Sequence, residues 1–250
     1  MANEYGPETY GESVADVYDA WYTAESESLG AVSTAVAFLG GLAGDGPALE
    51  LGIGTGRLAL PLQQSGVEVH GIDASAAMVA KLRSKPGGDR IPVTMGDFRD
   101  FSLETRYRLI YVVFNTFFGL LSQEDQVKCF RAIARHLTDN GVFAIEAFVP
   151  DLSRFDRGQR VSAIDVGTDE VRLDVTSHDA AEQRSVTQHV VIRGDGVRMF
   201  PVRLRYAYPS ELDLMARLAG LRLRERVADW QGTPFRDGCD KHISVYELAR

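Results

Sequence analysis

The chain has 250 residues, 45% hydrophobic and 25% charged, enough for one large α/β domain that needs no disulfide or metal staple. Its net charge of −8 argues against a protein held to a phosphate backbone, because that affinity comes from Lys and Arg neutralising phosphates. Two cysteines, Cys129 and Cys239, are too few for a disulfide framework or a four-ligand zinc site, and since only four of the 27 cations are lysine, arginine clusters carry little weight by themselves.

In chain order, Met1-Ala2-Asn3-Glu4 lacks the basic start and apolar run of a secretory signal. Ser13 to Tyr22 places Val14, Val17, Tyr18 and Trp21 at helical spacing, and Ala31 to Leu42 reads as a second helix ending in glycines. Pro47 to Leu51 is a short buried strand feeding a Gly-rich turn and the helix Arg57 to Ser65. Val67 to Ile72 is the next strand, closed by Asp73 and followed by the helix Ser75 to Ser84. Ile91 to Met95 and Arg108 to Phe114 make strands three and four. The apolar run Leu109 to Leu121 is too short to span a bilayer and is interrupted by Asn115 and Gly119. Ser122 N-caps a helix to Leu137, and Asn140-Gly141 turns into the strand Val142 to Phe148. Strands alternating with helices predict a parallel sheet with crossovers.

Beyond Pro150 the pattern changes. Val161 to Tyr208 alternates in short runs, with turns at Gly167-Thr-Asp and Gly194-Asp-Gly, and reads as an antiparallel meander. Ser210 to Ala219 is a helix stopped by Gly220, and the strands Leu221 to Val227 and His242 to Leu248 close the chain as an antiparallel edge. The expected architecture is a doubly wound, mostly parallel seven-stranded α/β sheet in one domain, residues 1–250. Within it, 1–45 form a helical lid, 46–150 the parallel core, 155–208 an antiparallel insertion, and 209–250 the final helix and strands.

The informative stretch is Leu49-Glu-Leu-Gly-Ile-Gly-Thr-Gly-Arg57. A strand, a Gly turn and a helix opening aim backbone amides at a ligand in the crevice beyond the strand ends. The dinucleotide fingerprint wants Gly-x-Gly-x-x-Gly, whereas the glycines here are 52, 54 and 56 and position 57 is Arg. Asp73, at the end of the second strand, can accept from both hydroxyls of a ribose. Asp97 can accept from an adenine amine, and Phe98 can cover the ring.

This ordered set, Glu50, Gly52, Gly54, Gly56, Asp73, Asp97-Phe98 and Asn115, resembles the class I S-adenosylmethionine-dependent methyltransferases over about Ala48 to Phe148. More loosely, it is similar to bacterial small-molecule methyltransferases of natural-product and nucleotide-aminosugar pathways, which carry a stretch like Asp16 to Asp19. The resemblance implies S-adenosylmethionine as cofactor, S-adenosylhomocysteine as product, and a cofactor site made by Tyr18, Tyr22, Glu50, Gly52, Gly54, Gly56, Arg57, Asp73, Ala74, Met78, Asp97, Phe98 and Asn115. Tyr18 and Tyr22 read equally as core, and Trp21 reads as core. Phe117 and Phe118 are expected as pocket walls with Arg203, Arg205 and Tyr206, although the two arginines read first as a solvated strand face. No metal is expected, because Asn115 stands where metal-assisted relatives carry an acid.

Base candidates are His178 and His189 in the meander, which read first as solvated strand residues, together with Glu146 and, for positioning, Asn115. His70 and His136 read as structural. The acceptor is expected to be a small molecule methylated on nitrogen or oxygen, with nitrogen favoured because no Ser/His/Asp-like base arrangement is evident. No nucleic-acid or membrane partner is expected, a cytoplasmic location is expected, and a homodimer stays open. A non-catalytic S-adenosylmethionine-binding protein and a nicotinamide-dependent oxidoreductase remain alternatives.

Overall fold

The computed structural model describes residues 5–23 and 29–249; Met1 to Glu4, on which the signal-peptide expectation rests, lie outside them. Two helices, α1 (Thr9–Thr23) and α2 (Leu29–Ala43), precede β1 (Ala48–Leu51), α3 (Ala59–Gln64), β2 (Val69–Asp73), α4 (Ala76–Arg83), β3 (Val93–Met95) and β4 (Tyr107–Val112). They are followed by α5 (Gln123–His136), β5 (Leu137–Phe148), β6 (Gln159–Val166), β7 (Glu170–Asp179), β8 (Arg184–Arg193), β9 (Gly196–Arg205), α6 (Pro209–Leu218), β10 (Leu221–Val227) and β11 (Lys241–Leu248).

The main sheet has the order β10-β11-β5-β4-β1-β2-β3. Strands β3, β2, β1, β4 and β5 run parallel, and β11 and β10 add the antiparallel edge. The order reverses between β1 and β4, which opens a crevice above their carboxyl ends. Because the central strands are covered on both faces, they read as near-continuous apolar runs: all four residues of β1 are buried. One face packs on α5 and α6 through Phe117, Phe130, Phe143, Leu212 and Met215. The other packs on α2, α3 and α4 through Leu39, Leu62, Leu82 and Ile243. Side-chain caps fix two helix starts: Ser75 Oγ accepts from Met78 N and Ser122 Oγ from Asp125 N.

The meander is a separate four-stranded sheet, β6-β7-β8-β9. Its inner face lies on α1, where Trp21 meets Phe200 edge-on at 4.9 Å and shares a small core with Val14, Met78 and Val191. Trp21 is thus a core residue.

Two local expectations change. The strand expected from Val142 begins at Leu137 instead, with Asn140-Gly141 absorbed in a register shift against β4 that opposes Tyr107 to Leu137 but Leu109 to Val142. The strand expected to reach Phe114 stops at Val112, because Phe114 and Asn115 both take left-handed backbone, at φ 57° and 64°. Among the described residues no helix is long and apolar enough to cross a membrane.

Candidate active site

The Gly turn is shaped by its backbone. Gly52, Gly54 and Gly56 have φ of 70°, 55° and 78°, a region that side chains rarely adopt. A Cβ on Gly52 would also lie 2.5 Å from Thr116 Cγ2. Asp73 pins this turn to the end of β2, Oδ2 accepting from Gly54 N at 2.7 Å and Oδ1 from Ser75 N at 2.8 Å. Burial nevertheless raises the Asp73 pKa against those amides. Glu50 is fully buried, accepts from the Tyr111 hydroxyl at 3.0 Å, and is pushed up to about 8 by desolvation.

Helix α1 is fastened over this turn. Glu12 Oε1 accepts from Ser75 Oγ at 2.9 Å and Ala77 N at 3.0 Å, at the start of α4. Asp19 accepts from Thr55 Oγ1 at 2.6 Å and pairs with Lys85 at 2.7 Å, while Lys85 also donates to Thr55 O. Gly11 lets the helices touch, since a Cβ there would sit 2.5 Å from Ser75 Cβ. Of these latch residues only Asp19 stands in a stretch the sequence singles out, Asp16 to Asp19; Glu12 lies two turns earlier on the same helix and carries no local signal.

Two adjoining cavities lie under α1. The first, of about 130 Å³, is lined by Tyr18, Glu50, Gly52, Gly54, Arg57, Asp73, Ala74, Met78, Asp97 and Phe98 among others. The second, of about 380 Å³, is lined by Tyr5, Tyr10, Tyr18, Tyr22, Phe98, Phe114, Asn115, His189 and Arg203 among others. Tyr10, Tyr18, Asp97, Phe98, Phe114 and Thr116 belong to both. Burial raises the pKa of Tyr10, Tyr18 and Tyr22, so their phenols stay neutral. Tyr10 and Tyr22 meet at 3.4 Å through their hydroxyls.

Of the residues expected at the cofactor, Tyr22 and Asn115 line only the second cavity, and Gly56 turns its α-carbon toward Leu82 instead. Phe117 and Phe118 are wholly buried in the core against Phe130 and Phe148, so neither walls a pocket. The aromatic wall is Phe114, edge-on to Tyr22 at 4.9 Å and 4.7 Å beneath the Arg57 guanidinium.

Arg205 is also turned inward, in a buried pair with Glu211 at 2.7 Å and a bond to Gln126 Oε1. Tyr206 is buried beside His178, whose Nε2 lies 2.8 Å from its hydroxyl. His178 stacks between Phe155 and Tyr206 and lines neither cavity. Glu146 is likewise removed from both, its oxygens accepting from Trp230 Nε1 and Phe114 N.

His189 and Arg203 do line the second cavity, Arg203 lying over the Tyr5 ring at its rim. Asn115 joins them with Oδ1 engaged by Phe148 N at 2.7 Å. His70 contacts the Tyr107 hydroxyl and Glu68, and His136 Nε2 accepts from Leu103 N. Among the described residues no three His, Cys, Asp or Glu side chains converge as a metal site.

An adenosine ligand with a positively charged methionine tail fits this donor set: a cradle of glycine backbone, a diol-accepting Asp73, and Asp97-Phe98 across the crevice. The methyltransferase domain model matches residues 48–141. The structure of the CcbJ methyltransferase from Streptomyces caelestis is 39% identical, covering 98% of this chain and 100% of that one, with a TM-score of 0.90. The chain therefore belongs to the S-adenosylmethionine-dependent methyltransferases. The Cypemycin N-terminal methyltransferase of a Streptomyces species is 28% identical over 200 residues, 80% of this chain and 82% of that protein. The fold is shared with S-adenosylmethionine-bound CalS10 of Micromonospora echinaspora, an amino pentose methyltransferase of calicheamicin biosynthesis, at 21% identity, covering 98% of this chain and 99% of that one, with a TM-score of 0.70.

Proposed function

We propose that this methyltransferase acts on an amine nitrogen of a small molecule in bacterial natural-product or aminosugar biosynthesis. The observation that carries this reading is the second cavity, a tyrosine-walled chamber opening directly onto the Gly-turn cavity. Neutral phenols and ring faces suit an amine and a sulfonium, both cationic at some stage. Two similar proteins bear names that point the same way, one an N-terminal and one an amino pentose methyltransferase.

In this reading the cofactor supplies an electrophilic methyl group, and the protein supplies alignment and exclusion of water. Asp73 holds the ribose hydroxyls, Asp97 and Phe98 the adenine, and Glu50, Gly52, Gly54, Arg57, Ala74 and Met78 shape the rest. Gly56 acts at one remove, through the turn. Tyr10, Tyr18 and Tyr22 surround the transferring methyl, Asn115 holds the strand ends beside it, and Arg203 guards the outer rim. Residues 1–45 serve as lid, 46–150 as cofactor core, 155–208 as roof of the acceptor chamber, and 209–250 as the closing edge. The reading places the enzyme in the cytoplasm with no nucleic-acid partner, in keeping with its net charge of −8.

Two measurements test it. S-adenosylhomocysteine should raise the melting temperature of the protein, and Asp73→Ala should weaken its binding at least tenfold; unchanged affinity would remove the ribose role. Mass spectrometry should find a product heavier by one methyl among amino sugars and amino amides. A methylated phenol or sugar hydroxyl with no methylated amine overturns the nitrogen assignment.

A further inference from the structure

We propose that His189, held by Asp174, takes the proton that the acceptor must lose, so that the chamber receives its amine charged and presents it neutral. The inference rests on the amine reading above.

Asp174 and His189 are directly opposed in the β7–β8 register, on the inner face of the meander, and His189 Nδ1 lies 2.5 Å from Asp174 Oδ1. His189 lines the acceptor chamber and also a smaller cavity of about 150 Å³ behind it, whereas Asp174 lines only the smaller one. With Nδ1 turned to that carboxylate, the geometry leaves Nε2 as the ring nitrogen available to the chamber. Trp21 fixes the ring edge-on at 6.0 Å. No described group bonds to Nε2. A cross-strand His–Asp pair is ordinarily a surface ornament; this one forms a wall of the cavity that borders the methyl site.

The charged and titratable groups that face the pair and its chamber are Tyr22 from α1, Arg172 two residues from Asp174 on the same face of β7, Arg198 near Phe200 and Arg203 on β9, and Asp97, Arg99 and Asp125 across the chamber. Asp174 accepting from Nδ1–H leaves the neutral imidazole with its lone pair on Nε2.

The chemistry balances as follows. An aliphatic ammonium has no lone pair to attack with, so one N–H proton passes to His189 Nε2 and leaves its electron pair on nitrogen. That pair forms the N–C bond to the methyl group while the C–S pair stays with sulfur. The sulfonium charge is carried away on the methylated ammonium, and the imidazolium returns its proton to water. His189 is the catalytic residue in this scheme and Asp174 the positioning residue.

The first test needs no acceptor. Nitrogen-15 NMR of the histidine rings, with the protein saturated in S-adenosylhomocysteine, should show His189 bare at Nε2 and protonated at Nδ1. Asp174→Asn should shift that balance, and an Nε2–H tautomer in the wild type overturns the proposal. The second test reads turnover with D-glucosamine and tyramine as probe acceptors. With tyramine, whose amine is almost wholly charged at pH 7, His189→Asn should lower kcat at that pH by about 10²-fold and recover toward wild type as pH rises past the amine's own pKa; with the less basic D-glucosamine the loss should be smaller. Binding of S-adenosylhomocysteine should be unchanged. Asp174→Asn should lower kcat with KM within about threefold, and Asp174→Glu should restore part of it. Wild-type kcat in His189→Asn at pH 7 sinks the dyad and leaves the amine reading standing. Methylation of the tyramine phenol alone sinks the amine reading, and a collapse of kcat in His189→Asn then still upholds the base.

Discussion

Phe114 and Asn115 occupy left-handed backbone in succession, a conformation that costs a bulky residue of order 1–2 kcal/mol. Glu146 and Asn115 hold it in place, binding Phe114 N and Phe148 N respectively. The kink sends the Phe114 ring into the chamber and turns Phe117 and Phe118 back into the core. Strand and turn propensity cannot reveal such a reversal, because it is enforced by a carboxylate 32 residues away in sequence. That is why the pocket wall was expected three residues too late. Glu50 carries a second residue-scale consequence. Its folded pKa, about 8 against an ordinary 4.5, means the folded state keeps a proton that the unfolded chain releases. The stability this contributes is complete below about pH 4.5 and lost as pH rises through 8. His242 works with the opposite sign and in another window. Burial lowers it to about 4, so it costs stability only as pH falls below about 6.5. Between pH 6 and 8.5, urea unfolding should show the wild type losing on the order of 2 kcal/mol relative to Glu50→Gln, and a parallel pH profile would refute the assignment.

At the scale of elements, α1 is tied to the Gly turn by its polar face and to the meander by its aromatic one. The Glu12 and Asp19 contacts join groups 36 to 66 residues apart, so local spacing marked α1 as a helix without showing what it fastens to. The Gly turn itself was legible because its information is local: three left-handed glycines, a strand before and a helix after. The aspartates were legible because parallel strands must end on one side of the sheet. His178, His189, Arg203 and Arg205 were not separable from sequence, since a period of two assigns faces but not which face meets a cavity. Removing the latch should matter more for ligand than for fold, because exposed pairs contribute about 1 kcal/mol or less each. Asp19→Ala is expected to weaken S-adenosylhomocysteine binding about three- to tenfold and to speed hydrogen exchange across 9–23, with the melting temperature little changed. Equal exchange rates would show that the latch is idle.

For the whole molecule, the mostly parallel sheet followed from the alternation of strands and helices and its antiparallel edge from the late hairpin, while the strand order and the outer surface of the meander did not. Val161, Val175, Val186, Val197 and Met199 are all exposed there, on one sheet, and contiguous apolar surface of that kind marks an association site. The nesting of the two cavities has a kinetic consequence. The Gly-turn cavity shares Tyr10, Tyr18, Phe98 and Phe114 with the acceptor chamber, so a seated acceptor is expected to stand over the cofactor. Turnover is then expected to be ordered, the cofactor arriving first and its spent form leaving last. S-adenosylhomocysteine would compete with S-adenosylmethionine alone, and excess acceptor would slow the enzyme by trapping the spent cofactor beneath it.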